Sequence, residues 1–399
     1  MPADRPLPRP SLTVRPFRGW RFTDGLSQTY VAPGSTSHGE TVAPLPRMMR
    51  AVLAVDVADA ARSKGGTDRV RDQLRYWRGA GVLVQDESPS FYLYRRSEGD
   101  RAIVGLIAAI SLHPPRHRVV VPHEDVNPVM VGRQLNLMAA FEGQPEPVVT
   151  AHRGSDAFRS VVAQLLATPA TWLEHTEDVR HELWQIADQE PVARLQDELT
   201  GSTLLLADGH HRYAAFQQLQ RRLDAERPAA TQAPWDLGLS MLVDEGDTGL
   251  RLGPIHRVLP AVDLAQVRAT PGLRVHEGRD GGCTLTDGER WWTVAPEPIA
   301  SRPMSPQPPE LIVSLLHREW LPHWGVDEAL VSYVHDAEEA IAQAKASGGL
   351  ALLMPSPTVD AVFDAAASGN LMPAKATSFQ PKPLIGLVMR HWPRGDGDL

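Results

Sequence analysis

At 399 residues, with 42% hydrophobic and 22% charged side chains, the chain has the composition of a globular protein long enough for two or three structural units, and not that of a disordered or fibrous one. A formal net charge of -8 argues against a nucleic-acid surface, which needs clustered excess Lys and Arg. No run approaches the roughly 18 apolar residues of a membrane span, Met1 to Arg21 lacks the apolar core of a secretion signal, and the single cysteine excludes an intramolecular disulfide, so a cytoplasmic protein with a small-molecule partner is expected and its oligomeric state is left open.

In chain order, Thr13 to Trp20 is extended and Asp68 to Gly79 is helical, with Leu74 and Trp77 turned inward. Ser90 to Arg95 pairs with Ala102 to Leu112 across Glu98-Gly99-Asp100 as a hairpin. Val119 to Val121 and Val148 to Thr150 are short strands, and Asn127 to Phe141 and Ser155 to Ala167 are helices. Val179 to Ile186 is a strand and Pro191 to Leu199 a helix; a strand, a helix from Tyr213 and the strand Leu237 to Val243 follow. Beyond Pro260, Leu273 to His276, Cys283 to Thr286 and Trp291 to Val294 form an antiparallel meander with Asp287-Gly288 at a hairpin turn. Cys283, with no neighbouring His, is expected to be a structural thiol. A helix ending near Trp320 and the alternating segments Leu330 to Val334, Ala337 to Ala346, Leu350 to Met354 and Val359 to Ala367 precede a last strand, Leu384 to Met389. The expected division is a main α+β body over 1–260, the meander over 261–300 and an α/β segment over 301–399. The proline-dense stretches Met1 to Pro16 and Pro296 to Pro309 are expected to be a tail and a linker.

Chemistry concentrates in Leu204-Leu205-Leu206-Ala207-Asp208-Gly209-His210-His211-Arg212-Tyr213, where an apolar strand meets a helix through an Asp-Gly turn. Asp208 is placed to cap that helix, and His210, His211 and Arg212 project from the end where free N–H groups and the dipole attract anions. The word lacks both the Gly-Lys-Ser/Thr ending of a P-loop and the glycine spacing of a dinucleotide fold. A phosphate or carboxylate ligand fits such a junction.

Of the 40 cationic residues only Lys64, Lys345, Lys375 and Lys382 are lysine. In a chain that uses arginine wherever a plain positive charge suffices, two lysines within eight residues suggest a compact ammonium contact, expected to fold back over the Asp208 to Arg212 junction. His113 and His117 flank Pro114-Pro115, which forbids a regular metal-binding helix there. His123-Glu124, after an apolar strand, can serve as a base or substrate clamp, and His256-Arg257 as an anion contact.

The word Asp208-Gly209-His210-His211-Arg212-Tyr213 resembles the signature of domain-of-unknown-function family 1015, and its Asp-Gly-His-x-Arg core is similar to the phosphate-binding motif of free serine kinases in the ParB/sulfiredoxin superfamily. The resemblance extends through Pro16-Phe17-Arg18, Tyr92-Leu93-Tyr94, Gly105, His123-Glu124, Arg133, Pro254-Ile255-His256-Arg257 and the closing segment Met372-Pro373-Ala374-Lys375-Ala376-Thr377-Ser378-Phe379-Gln380-Pro381-Lys382. Departures are Val31-Ala32-Pro33-Gly34-Ser35, where the family carries Tyr and an acid, Ile255 where it has Thr, and Ala376 where it has Ser.

The resemblance implies an α+β fold with a mixed-sheet core and nucleotide-dependent phosphoryl transfer to a small hydroxylated metabolite. That chemistry needs cationic donors, Mg²⁺ with ATP or ADP, and a base. Asp208 would hold the metal or take the proton; His210, His211 and Glu124 are the other catalytic candidates. Gly209, Arg212, His123, Arg133, His256, Arg257, Lys375, Lys382 and Arg18 would bind substrate or phosphate. Hydrolysis of a phosphoester or nucleotide, and a nucleotide-binding switch without catalysis, are the alternatives.

Overall fold

A computed structural model describes residues 10–23, 32–33, 66–176, 178–225, 233–246, 249–260, 262–280, 282–297, 312–327, 330–367, 371–373 and 375–392. It divides into a larger unit, residues 1–122, 126–250 and 381–399, and a smaller one, residues 123–125 and 251–380.

The larger unit is built on a nine-stranded mixed sheet. Its strands are β1 (Val14–Arg15), β2 (Phe91–Glu98), β3 (Arg101–Ser111), β4 (Val120–Pro122), β5 (Val148–His152), β6 (Trp172–Thr176), β7 (Val179–Ile186), β8 (Leu204–Asp208) and β9 (Leu237–Asp244). The order is β6-β7-β2-β3-β9-β5-β8-β4, with β1 added against β3. Most neighbours are antiparallel, while β9 with β5 and β8 with β4 run parallel. The centre is buried on both faces, which is why β5, β8 and β9 read as nearly continuous apolar runs rather than alternating ones. Helices α1 (Gly66–Gly79), α2 (Pro128–Phe141), α3 (Asp156–Leu166), α4 (Gln189–Leu199) and α5 (His210–Asp224) complete the unit.

Local chemistry sets the helix starts. Asn127 Oδ1 accepts from Val129 N at 2.9 Å ahead of Pro128, and Ser155 Oγ accepts from Phe158 N at 2.9 Å. Leu74 and Trp77 are buried in a satellite cluster with Trp20, Phe22 and Phe141, as their spacing on α1 predicts. The hairpin β2–β3 turns at Gly99, whose φ of 59° suits glycine. Strand β6 went unread in the sequence, because its alternation of Trp172, Glu174 and Thr176 with Leu173 and His175 is not one of apolar with polar.

The smaller unit carries a six-stranded antiparallel sheet of β10 (His256–Leu259), β11 (Leu273–Glu277), β12 (Cys283–Thr286), β13 (Trp291–Pro296), β14 (Ser332–Val334) and β15 (Leu350–Leu353), in the order β11-β13-β12-β15-β10-β14. Helix α6 (Ala337–Ser347), capped by Asp336 Oδ1 on Glu339 N at 2.8 Å, packs Ala340 and Ala344 against that sheet. The expected boundaries at 260 and 300 cut this sheet: the meander pairs through β12 with β15, so β11, β12 and β13 share one hydrogen-bonded sheet with β10, β14 and β15. From residue 298 the expected proline-rich linker lies outside the described residues, as does most of the expected N-terminal tail. Cys283 is buried beside Met354 Sδ at 3.6 Å, and burial pushes its thiol up to about 12, as suits a structural thiol.

The expected continuous strand Leu384 to Met389 is interrupted. Only Leu384–Ile385 and Arg390–His391 are strands, because Gly386 takes φ 77° between them and each piece pairs elsewhere, with Ala32–Pro33 and Gly143–Gln144. No helix among the described residues is long and apolar enough to cross a membrane.

Buried histidines of the larger unit, His152 and His181 among them, contribute to its response to acid. Burial pushes His152 down to about 4 despite the nearby Asp244, and burial with Arg96 pushes His181 down to about 4. Both are neutral when folded and take a proton when unfolded, so their stabilisation is full above the ordinary pKa near 6.5 and fades as pH falls toward 4. We expect each to remove roughly 3 kcal/mol between pH 7 and pH 4. Urea unfolding at the two pH values measures this, and His181→Gln should shrink the difference; an equal loss in that variant would assign the acid sensitivity to other groups.

Candidate functional site

Strand β8 delivers the signature. Leu206 pairs with Thr150 and Asp208 with Val149, so Ala207 is an extra residue bulged out of the ladder, and the bulge re-aims the Asp208 side chain. Gly209 follows with φ 89°, and α5 begins at His210. Glycine is required here on two counts: the backbone is left-handed, and a Cβ would lie 3.0 Å from Val148 Cγ1.

Gly209, not Asp208, is the N-cap of α5, and no side chain caps this helix. The Asp208 carboxylate is drawn instead to two cations: Oδ2 accepts from Arg212 Nη2 at 2.6 Å, and Oδ1 lies 3.2 Å from Lys382 Nζ. The other Arg212 nitrogen, Nη1, lies 2.5 Å from Glu146 Oε1 and donates to Pro147 O at 2.6 Å. Charge complementarity beats capping because a carboxylate gains more from two close cations than from neutral N–H groups in a site only about one-fifth exposed.

The two carboxylates have opposite tendencies. Burial works against the ionised form of Asp208, but Lys382 and Arg212 outweigh it and hold the carboxyl below its ordinary range. Burial dominates at Glu146 and pushes it up, helped by Asp208 and only partly offset by Arg212 and Lys382. A pair of acids pushed apart in this way suits a site in which one stays charged while the other can hold a proton.

His210 is buried at the start of α5. Next to it, His211 Nε2 accepts the backbone N–H of Asn127 at 3.1 Å. That bond requires an unprotonated Nε2 and ties the cap of α2 to the first turn of α5.

The structure thus gathers Asp208, Gly209, His210, His211, Arg212 and Lys382 in the larger unit, with Glu146 as a member that sequence reasoning missed. The available signal was Pro145-Glu146-Pro147, an acid fixed between prolines directly ahead of β5. Arg212 departs from the expected phosphate cradle, since its fork faces two carboxylates and a carbonyl. Arg133 is exposed on α2, with Nη1 3.7 Å from Met130 Sδ. Arg18 donates to Asp86 O at 2.9 Å within a separate network in which Arg21 and the Tyr92 hydroxyl bond the Asp86 carboxylate at 2.6 and 2.5 Å.

The remaining expected residues belong to the smaller unit. His123 Nε2 is 2.7 Å from Thr377 Oγ1, and Glu124 Oε1 accepts Thr377 N at 2.8 Å while its Oε2 accepts Lys375 N at 3.3 Å. These bonds hold Lys375 at φ 64°, left-handed and unusual for a residue with a Cβ. His256 Nδ1 accepts Met354 N at 3.1 Å, and Arg257, fully buried, donates to Ile255 O and to Lys375 O, the latter at 2.9 Å. His113 and His117 stand with ring centroids 5.9 Å apart beside a single 3-10 turn, Pro115–His117.

The family model described as "Protein of unknown function (DUF1015)" matches residues 14–300, and the chain belongs to that family. Among solved structures, the chain is similar to a conserved hypothetical protein from Pyrococcus furiosus, at 15% identity over 68% of this chain and 91% of the other, with a TM-score of 0.37. It is also similar to a mutant free serine kinase in complex with ADP, at 14% identity over 66% and 84% of the two chains and a TM-score of 0.38. C-terminally truncated SbnI from Staphylococcus aureus matches at 11% identity over 70% and 85%, with a TM-score of 0.38. No curated protein matches the chain.

Arg212 is the side chain on which the cluster's balance depends. Arg212→Ala leaves Glu146 and Asp208 facing each other with Lys382 alone to neutralise them, and should destabilise the larger unit by about 3 kcal/mol. Denaturant unfolding measures this; a loss under about 1 kcal/mol would be that of an ordinary surface pair. Lys382→Met should raise the Asp208 pKa toward its ordinary value, read by carboxyl NMR titration, and an unmoved Asp208 would show that Lys382 does not control it.

Proposed function

We propose that the protein is a cytoplasmic small-molecule phosphotransferase, moving a phosphoryl group from a nucleotide to the hydroxyl of a small metabolite on a core of the ParB/sulfiredoxin kind. One observation carries the reading: a carboxylate held ionised by a lysine and an arginine at the end of a strand, directly ahead of the N-terminus of α5. Phosphoryl transfer is mostly positioning and charge neutralisation, and it uses a weakly basic Asp to receive the proton of the attacking hydroxyl.

Asp208 takes that proton on a carboxylate oxygen, and the α5 N-terminus with Lys382 holds the phosphates. Arg212 acts from behind, fixing Asp208 with one nitrogen while Glu146 balances the other. Mg²⁺ is usually bound through one or two carboxylates together with substrate phosphates; Asp208 is the carboxylate here that stays ionised and would hold it in place of the proton-accepting role, and the ion would neutralise charge developing on the phosphates. His210 and His211 line the entry to α5, where a neutral His211 leaves the local field to Lys382 and the helix.

The test is turnover of ATP or ADP with Mg²⁺ against a panel of small alcohols that includes serine, followed by phosphorus NMR. A phosphorylated alcohol is expected. Asp208→Asn should bind nucleotide with little change and lose about 100-fold or more in turnover. Free phosphate without any alcohol product would make the protein a hydrolase. Nucleotide binding with no product would make it a switch, and equal turnover in both proteins would remove Asp208 from the chemistry.

A further inference from the structure

The larger unit contains a second feature that the phosphoryl-transfer reading does not use. A cavity of about 260 Å³ lies between α3 and strands β2, β3 and β9. Its wall is aliphatic and aromatic, with Leu93, Leu106, Phe158, Val162, Leu166 and Leu242, and its charged lining is one residue of each sign, Arg159 and Asp244. Leu242 and Asp244 are two apart on β9 and so face the same side of the sheet, toward α3. Arg159 is about half exposed, which places the ion pair where the cavity meets solvent.

This mouth is built. Arg159 Nε lies 2.6 Å from Asp244 Oδ2 and Nη2 3.2 Å from Oδ1, while Gly154 N and Gly246 N donate to Oδ1 at 3.1 and 3.0 Å. Gly154 could not carry a side chain without displacing the carboxylate, since a Cβ there would fall 2.3 Å from Asp244 Oδ2, and a Cβ on Gly246 would lie 3.0 Å from Arg159 Nη2. Asp156 takes Arg159 Nη1 at 3.3 Å, and Arg153 pairs with Glu245 at 2.9 Å. His152, edge-on to Phe158 at 4.7 Å, is held neutral by burial and adds no charge.

The chemistry selects the occupant. An apolar pocket with a few polar groups at one end orients a ligand by its head and selects it by its tail. A guanidinium and a carboxylate side by side match a head that carries both charges on neighbouring carbons. A simple fatty acid would use Arg159 and leave Asp244 without a ligand cation, and an amine alone would leave Arg159 unused. The cavity is smaller than the roughly 300–1,000 Å³ of drug-sized sites, which suits a branched aliphatic side chain and not a nucleotide.

We propose that this cavity binds a free aliphatic α-amino acid of leucine size, its side chain among Leu93, Phe158 and Leu242, its carboxylate on Arg159 and its ammonium on Asp244. The two opposite charges are already held in place, so binding adds contacts to a preorganised pair.

Isothermal titration of the full-length chain with L-leucine should give saturable one-site binding in the millimolar range or tighter. L-leucinamide, 4-methylpentanoate and glycine, which lack the carboxylate, the ammonium and the side chain respectively, should each bind at least about tenfold more weakly. Arg159→Gln should weaken L-leucine by a similar factor. Val162→Trp should fill the cavity and abolish binding, with circular dichroism melting to show that it folds; if it does not, the half-exposed Arg159 variant decides. No saturation by L-leucine, or equal affinity for 4-methylpentanoate or L-leucinamide, overturns the proposal. The outcome is independent of the phosphoryl-transfer reading, because no residue of the Asp208 cluster takes part.

Discussion

Four charges at the β8–α5 junction set the terms for the rest of the larger unit. Asp208, Glu146, Arg212 and Lys382 come from a strand end, a proline-flanked loop, a helix and the returning C-terminal segment. Two of each sign cancel, which is the condition for placing such groups where solvent is mostly excluded. The cancellation is uneven. Arg212 places its fork on both acids, so Asp208 stays ionised under Lys382 while burial raises Glu146, and the two carboxylates are pushed in opposite directions. Removing Arg212 leaves both acids with Lys382 alone to balance them in a site mostly shielded from solvent.

The constraint reaches outward through the backbone. The bulge at Ala207 and the left-handed Gly209 are the devices that turn Asp208 from the ladder toward its cations and start the helix without a side-chain cap. A capping Asp would have been drawn to N–H groups. With that role vacated, the helix starts from Gly209, and His211 is engaged sideways with Asn127. In the smaller unit a different economy operates: Glu124 spends both oxygens on backbone N–H groups around Lys375 and Thr377, shaping a loop.

What could be read in advance follows the range of the interaction. Helices with a local cap and an apolar stripe, such as α2 behind Asn127 and α3 behind Ser155, were legible because cap and stripe are adjacent in sequence. So was the Asp208 to Arg212 word, whose parts lie within one turn of chain. Glu146 was not, because its partner Arg212 is 66 positions away and an acid in a proline loop carries no periodic signal. The N-cap reading failed for a related reason: propensity favours Asp at a cap, but two distant cations outbid the local N–H groups. The meander was seen as strands yet misjudged as a separate piece, since pairing of β12 with β15 spans a proline-rich stretch that looks like a boundary.

Lysine usage shows how a compositional signal and a structural one can meet. Arginine outnumbers lysine nine to one in this chain, 36 against 4, so lysine positions carry information that they would lack in an average sequence. Lys382 lies on Asp208 at 3.2 Å, where a planar fork would have to compete with the one Arg212 already presents, whereas a compact ammonium needs only one approach direction. Lys375, seven positions earlier, belongs to the other unit and is marked by its strained backbone. Retention of lysine therefore has a physical ground at Lys382, the point contact at the charge cluster, whereas the left-handed turn at Lys375 is fixed by Glu124 and Arg257 through main-chain groups, which do not select the side chain.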